Sequence, residues 1–138
     1  MDRYRKLVLL VRNRRGQSVV ELAIMLPMLL LLIFGITEFG RAWMTVNVMH
    51  SATREGVRLA VVTAPDVPAV QDRVTAICAS AGITPTSVTV TGPDPADEQR
   101  RVTVTMTADF DIIPGRILGT FQGSIPISAS TTMRHESF

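Results

Sequence analysis

The chain has 138 residues, of which 46% are hydrophobic, and a net charge of +2. Its excess positive charge lies at one end, because residues 1–16 carry six basic residues and one acid, whereas residues 17–138 carry eight basic and eleven acidic residues. Basic residues directly before an apolar run are typical of membrane topology signals, which argues against nucleic-acid binding. One cysteine and two histidines give no zinc spacing, catalytic triad or phosphate loop. We therefore predict no enzyme activity, no metal or cofactor and no small-molecule substrate.

The first predicted element is a transmembrane helix over residues 17–37. Residues 22–36 carry no charge, and a helix needs about 20 residues to cross the ~30 Å hydrocarbon core. Basic flanks stay in the cytoplasm, so we expect residues 1–16 to be a cytoplasmic leader and the C-terminal part to be extracytoplasmic. A signal peptide would end in a small-x-small cleavage site, which is missing from the TEFGRAWM that follows the apolar run.

Two residues within this span require explanation. Glu21 is its only charged residue, and an ionised side chain at the bilayer centre costs about 2.5–3.5 kcal/mol. It either has a function there or extends to the lipid headgroups near the end of the span. Pro27 removes a helical hydrogen bond and predicts a helix kink, which is either a flexible point or a simple bend.

Beyond the span, we expect the helix to continue to about residue 63 as an amphipathic extension, residues 38–64. Apolar residues recur there at spacings of three and four, which predicts one buried stripe. Trp43 suits either the outer membrane interface or the first position of the core. The predicted stripe consists of Phe39, Ala42, Trp43, Val46, Met49, Thr53, Val57, Ala60 and Val61.

A second helix is predicted at the start of a head formed by residues 65–138. Asp66 is the candidate N-cap, Pro68 lies in the first turn and Gly82 is the candidate C-cap. Cys78 falls on the apolar face of this helix, which favours a core position over a reactive thiol. The predicted buried stripe is Val67, Val70, Val74, Ile77, Cys78 and Ala81.

Three strands are predicted from alternating apolar and polar residues, near residues 88–90, 102–112 and 125–133. Pro126 indicates that the last strand lies at a sheet edge or begins at this residue. The predicted fold class is therefore α+β, a long N-terminal transmembrane helix that continues into a small head with a second helix on an antiparallel sheet of about three strands.

Two connecting segments carry weaker signals. Asp94, Asp97 and Glu98 do not match a defined calcium loop, which favours a solvated turn. The segment 114–121 is interpreted as either a short helix or a crossing loop.

The N-terminal motifs, taken together, resemble the TadE-like family, the small pseudopilins of the Tad (Flp) branch of type IV pilus systems. The resemblance includes a basic leader that ends in Gly16-Gln17, Glu21 five residues after the glycine, and Pro27 early in a Leu-rich span. It continues in an E-F-G-R motif and an A-R-E-G-A-R-like motif, in which Thr53 stands where alanine is more usual. These two motifs fall on Glu38, Phe39, Gly40, Arg41, Arg54, Glu55, Gly56 and Arg58.

The resemblance implies a minor pseudopilin or pilus assembly subunit in the inner membrane or in a surface pilus. It also implies that a prepilin peptidase cuts between Gly16 and Gln17. A glycine lets the backbone approach the enzyme closely, although Gly16 can also simply be a break between the basic tail and the helix. After the cut, we expect Glu21 to pair with the new α-amino group of a neighbouring subunit and so to set the subunit register.

The expected partners are membrane lipid, the prepilin peptidase, other pilins and pseudopilins, and the pilus assembly machinery. Two alternatives stay open. One is an unprocessed single-pass membrane protein whose extracytoplasmic domain binds a partner, and the other is a membrane-tethered enzyme.

Overall fold

The computed structural model describes residues 14–62, 66–93, 100–113, 119 and 123–134. The described residues form two helices and three strands, which confirms the predicted α+β class. In chain order these elements are α1 (Arg14–Val62), α2 (Val67–Ser80), β1 (Pro85–Thr91), β2 (Arg101–Asp111) and β3 (Ser124–Arg134). The chain divides into an N-terminal unit, Met1–Thr37, and a head unit, Glu38–Phe138, with the boundary inside α1.

In the N-terminal unit, the described side chains from Gly16 to Thr37 are all exposed. Among the described residues, α1 is the one helix that is long and apolar enough to cross a membrane, by length and composition. Its described part runs from Arg14 to Val62 and continues through Pro27. At the end of the apolar run, the Thr37 hydroxyl donates to the Ile33 and Phe34 carbonyl oxygens (3.1 and 2.9 Å), so this polar group is satisfied within the helix.

The core of the head unit lies between the helices and one face of the sheet. Strand β2 contributes every second residue from Val102 to Phe110, as its alternating sequence predicts. Full burial of a large apolar side chain stabilises the folded state by about 1.5–3 kcal/mol. This one strand therefore supplies a large part of the hydrophobic stabilisation. The other buried apolar residues are Met49, Ala52, Val57 and Ala60 from α1, Val70, Val74 and Cys78 from α2, and Ala129 from β3.

The predicted buried stripe of α1 is wrong in its first two turns. Phe39 and Trp43 are 71% and 62% exposed, and their rings stack on each other with centroids 6.4 Å apart. At about 100° per residue, Trp43 lies roughly 120° around the helix from Met49, outside the face that packs on the head. The core alternative for Trp43 is therefore excluded.

Helix α2 begins and ends close to the predicted residues. The Asp66 carboxylate accepts a hydrogen bond from the Ala69 N–H (3.4 Å), and Pro68 lies in the first turn. The C-cap is Ala81, one residue earlier than predicted, and Gly82 follows it with a φ of 72°. The Gly82 and Ile83 N–H groups then bind the Ala79 and Cys78 carbonyl oxygens, the Schellman arrangement that favours glycine at this position.

Two positions in the predicted α2 stripe are not buried. Val67 is partly exposed and Ala81 is exposed, because they lie at the two ends of the helix, beyond the part that packs on the sheet. Val70, Val74 and Cys78 are buried, and Ile77 packs against the core.

The sheet is antiparallel with strand order β1-β2-β3. Strand β3 lies at an edge, as Pro126 predicts, and Met106 of β2 pairs with Ala129 of β3. Strand β3 begins at Ser124 rather than at Pro126. Its predicted inward residues Ile125 and Met133 are partly exposed, because the helices cover only the middle of this strand.

The two connecting segments with weaker signals lie almost entirely outside the described residues. Asp94, Asp97 and Glu98 lie outside the described residues, and so does the segment 114–121 apart from residue 119.

A buried polar contact joins α1 to the edge strand. The fully buried Thr53 hydroxyl lies 2.8 Å from the Thr131 hydroxyl and also donates to the His50 carbonyl oxygen. This contact explains why threonine suits a position where the motif usually has alanine.

We expect Thr53→Val to lower the free energy of unfolding by about 1–2 kcal/mol, because the Thr131 hydroxyl loses its partner. Denaturant unfolding of the full chain in detergent, followed by circular dichroism, measures this change. The double variant Thr53→Val/Thr131→Val is the control and should regain part of the loss. Equal stability of Thr53→Val and the unmodified chain would contradict the assigned contact.

Candidate functional site

The proposed processing site lies in the first turns of α1. Gly16 and Gln17 are exposed, and a Cβ added at Gly16 would meet no atom within 4 Å. Space inside this chain therefore does not require glycine at position 16. The Gln17 side-chain amide donates to a Glu21 carboxylate oxygen (3.3 Å), one helical turn further on.

Glu21 is exposed and lies among apolar side chains that are also exposed. A neutral amide is a weaker partner for a carboxylate than a cation, because charge-assisted hydrogen bonds are about twice as strong as neutral ones. The position can therefore accept a positive group from outside the chain.

The E-F-G-R motif divides between two sides of α1. Glu38 and Arg41 form an ion pair, with Arg41 Nη1 2.8 and 2.6 Å from the two carboxylate oxygens. The Glu38 carboxylate also accepts the Ile113 backbone N–H (3.2 Å). The Arg41 guanidinium lies over the Phe110 ring, 5.0 Å from its centre. Glu38 and Arg41 therefore fix the end of β2 against the first head turn of α1.

Phe39 and Gly40, the middle residues of this motif, are exposed. A Cβ at Gly40 would meet no atom within 4 Å. Neither residue is part of the described core of the head. This side of α1 is therefore available for an external contact.

The second motif joins the two helices of the head. The Glu55 carboxylate lies 3.2 Å from Arg73 of α2 and 3.8 Å from Arg58. These pairs are solvent-exposed and contribute little to stability. Arg54 is exposed, on the side of α1 away from the core.

Gly56 is the one motif position that close packing explains. It is buried, and a Cβ built there would lie 2.5 Å from Val74 Cγ2 of α2. Glycine thus permits α2 to approach α1 more closely than any residue with a side chain would allow.

Among the described residues, the remaining groups that could carry chemistry form no second site. Cys78 is fully buried with its Sγ 3.7 Å from the Met106 sulfur, and burial raises the pKa of its thiol. Its predicted core position is confirmed. Among the described residues, no group of three or more His, Cys, Asp or Glu side chains could hold a metal ion.

Sequence reasoning missed the partners of the motif residues. Phe110, Ile113 and Val74 are ordinary apolar residues in the sequence, and Arg73 is one of several cations. Since Ile113 follows Glu38 by 75 residues, no local pattern links the two.

Comparison with protein families places the motifs in one context. Residues 16–58 match the family model described as TadE-like protein. This segment contains the apolar run of α1, Gly16, Glu21 and both head motifs. Comparison with curated proteins and with solved structures found no match. The resemblance to the TadE-like family is thus confirmed over residues 16–58.

Proposed function

We propose that the chain is a minor pseudopilin or pilus assembly subunit of a Tad (Flp) type IV pilus system. In this proposal, residues 1–16 form a cytoplasmic leader and residues 17–37 span the inner membrane once. Residues 38–64 extend the helix, and residues 65–138 complete an extracytoplasmic head. The observation that carries the proposal is the TadE-like match over residues 16–58.

Exposure of the apolar run supports a membrane location. The large apolar side chains between Val19 and Ile36 are all at least 38% exposed, and they are contiguous along α1. Contiguous apolar surface of this extent is uncommon on monomeric soluble proteins. In a bilayer it is favourable, and the helix satisfies its own backbone groups.

The position of Gly16 in α1 supports processing between Gly16 and Gln17. A peptidase needs an extended backbone at the bond that it cuts, so α1 must open locally at residues 16 and 17. Glycine lowers the cost of this opening by about 1 kcal/mol relative to alanine.

After the cut, Gln17 carries an α-amino group at the positive end of the shortened helix. Glu21 then lies one turn deeper in the span. We infer that a neighbouring subunit supplies the amine that pairs with Glu21, because this pairing satisfies the carboxylate in one axial register and leaves it unpaired in others. The filament, the assembly machinery and the prepilin peptidase are the partners in this proposal, together with membrane lipid.

The proposal is tested by co-producing the chain with a prepilin peptidase and measuring the mass of its N-terminal peptide. We expect the form that begins at Gln17, and we expect Gly16→Ala to reduce cutting roughly tenfold or more, since about 1.4 kcal/mol at the transition state suffices for this. Gly35→Ala is the matched control, because Gly35 is also an exposed helical glycine with nothing within 4 Å of an added Cβ. Detection of only the uncut form beginning at Met1 would instead favour the unprocessed single-pass protein.

A further inference from the structure

One end of the head unit exposes apolar side chains on two separate elements. On α1, Phe39 and Trp43 are 71% and 62% exposed, and their rings stack at an interplanar angle of 21°. Two residues after β2, Ile113 is 45% exposed. We call these three residues the basal patch.

The contacts of Glu38 place Ile113 at the level of the first head turn of α1. The Ile113 N–H donates to a Glu38 carboxylate oxygen (3.2 Å), and Arg41, the ion-pair partner of Glu38, lies over Phe110. The exposed Ile113 side chain is therefore held close to residue 38, which directly follows the proposed span.

The distance from the span fits the interfacial layer of a bilayer. This layer is about 5–8 Å thick on each side, since the bilayer measures about 40–45 Å and its hydrocarbon core about 30 Å. Phe39 and Trp43 follow the predicted end of the span by two and six residues, which corresponds to roughly 3 and 9 Å of helix at about 1.5 Å per residue. The Cα–Cβ bonds of a helix tilt towards its N-terminus, and the Trp43 ring stacks on that of Phe39.

We propose that the basal patch binds the headgroup layer of the outer leaflet and that the Glu38–Arg41 pair positions Ile113 for this contact. The inference rests on the proposed membrane span and adds a second point of contact from outside α1. Tryptophan favours this layer because its ring is apolar with a polar N–H at one edge, and Phe39 and Ile113 add exposed apolar surface beside it. The opposite charges of Glu38 and Arg41 cancel at the same level, so the end of the head enters the layer without a net charge from this pair.

Trp43 allows a direct test, since it is the only tryptophan of the chain. The full chain is reconstituted in phosphatidylcholine vesicles whose lipids carry bromine either near the headgroup or near the chain end. We expect blue-shifted Trp43 emission and stronger quenching by the shallow bromine. Emission typical of water with full quenching by acrylamide, or stronger quenching by the deep bromine, would overturn the proposal for Trp43.

Ile113 is tested with Ile113→Cys labelled by a polarity-sensitive fluorophore. Cys78 stays unlabelled in the folded chain because it is buried, and labelling of the unmodified chain checks this. Thr132→Cys is the matched control, since Thr132 is exposed and pairs with Thr103, about 30 Å from residue 113 at 3.3 Å per strand residue. We expect an apolar signal at position 113 and an aqueous signal at position 132, and an aqueous signal at both would overturn the proposal.

The positioning role of Glu38 predicts a separate effect. Glu38→Ala should move the label at position 113 to an aqueous signal while Trp43 remains quenched by the shallow bromine, whereas Glu38→Gln, which keeps an acceptor for the Ile113 N–H, should largely preserve both signals. An unchanged label in Glu38→Ala would overturn this role. Flotation of the vesicles after alkaline carbonate treatment tests the span itself, so a chain that floats with an aqueous basal patch refutes only the present inference.

Discussion

Gly56→Ala is expected to destabilise the head unit by about 1–3 kcal/mol, the usual cost of inserting a methyl group into a packed core. The added Cβ would lie 2.5 Å from Val74 Cγ2, closer than side chains tolerate, so α1 and α2 must separate. The overlap outweighs the roughly 1 kcal/mol that alanine would otherwise contribute to an α-helix. Denaturant unfolding of the full chain in detergent, followed by circular dichroism, measures the loss.

Two variants make this result specific to the contact between the helices. Gly40→Ala places the same methyl group on the same helix where no atom lies within 4 Å, and it should stabilise the chain by up to about 1 kcal/mol. Val74→Ala removes the methyl group that Gly56→Ala would strike. The double variant should therefore lose less stability than the two single variants added together. Additive losses, or a Gly56→Ala chain as stable as the unmodified one, would contradict the packing explanation.

Glu21→Gln is expected to lower incorporation of the chain into the pilus assembly roughly tenfold or more, while its amount in the membrane stays the same or rises. The expectation follows from the proposed pair between Glu21 and a subunit amine, since a factor of ten corresponds to only about 1.4 kcal/mol. Removing the charge also removes the cost of about 2.5–3.5 kcal/mol for an acid within the span, so insertion should not suffer. Co-purification with tagged partner subunits, normalised to the membrane content, measures the effect.

Glu21→Asp is the control for charge at this position, because it retains the carboxylate one methylene closer to the backbone. We expect it to keep more incorporation than Glu21→Gln. If Glu21→Gln assembles as well as the unmodified chain, Glu21 has no registry role, and the alternative in which it reaches the headgroups is preferred.

Local signals predicted much of the fold. The caps of α2 and the alternation of β2 follow from single residues and their immediate neighbours, such as Asp66 and Gly82, and the structure shows both. The apolar run before Thr37 is long enough to be recognised by composition alone.

The face of α1 could not be predicted in the same way. Near residues 39–43 the helix is apolar on several sides, so periodicity does not distinguish a core position from an exposed one. Phe39 and Trp43 are exposed because α2 and the sheet pack on a different side of α1. Helix propensity also disfavours Gly56, although α2 needs the space that it leaves.

The candidate site depends even more on distant parts of the chain. The motif residues were recognisable, but Glu38 and Arg41 contact Ile113 and Phe110, and Glu55 contacts Arg73, all outside residues 16–58. The sequence therefore identifies the motif residues, but not the groups that each of them contacts.

The hydrogen bond between Glu38 and the main chain at residue 113 affects which side chains of the head can be substituted. The donor is a main-chain N–H, which every amino acid except proline supplies. The side chain at position 113 is thus unconstrained by this bond and can be exchanged without loosening β2 from α1. If the proposed membrane contact holds, side chains suited to different membrane surfaces can occupy position 113 while the hydrogen bond from its N–H to Glu38 is retained.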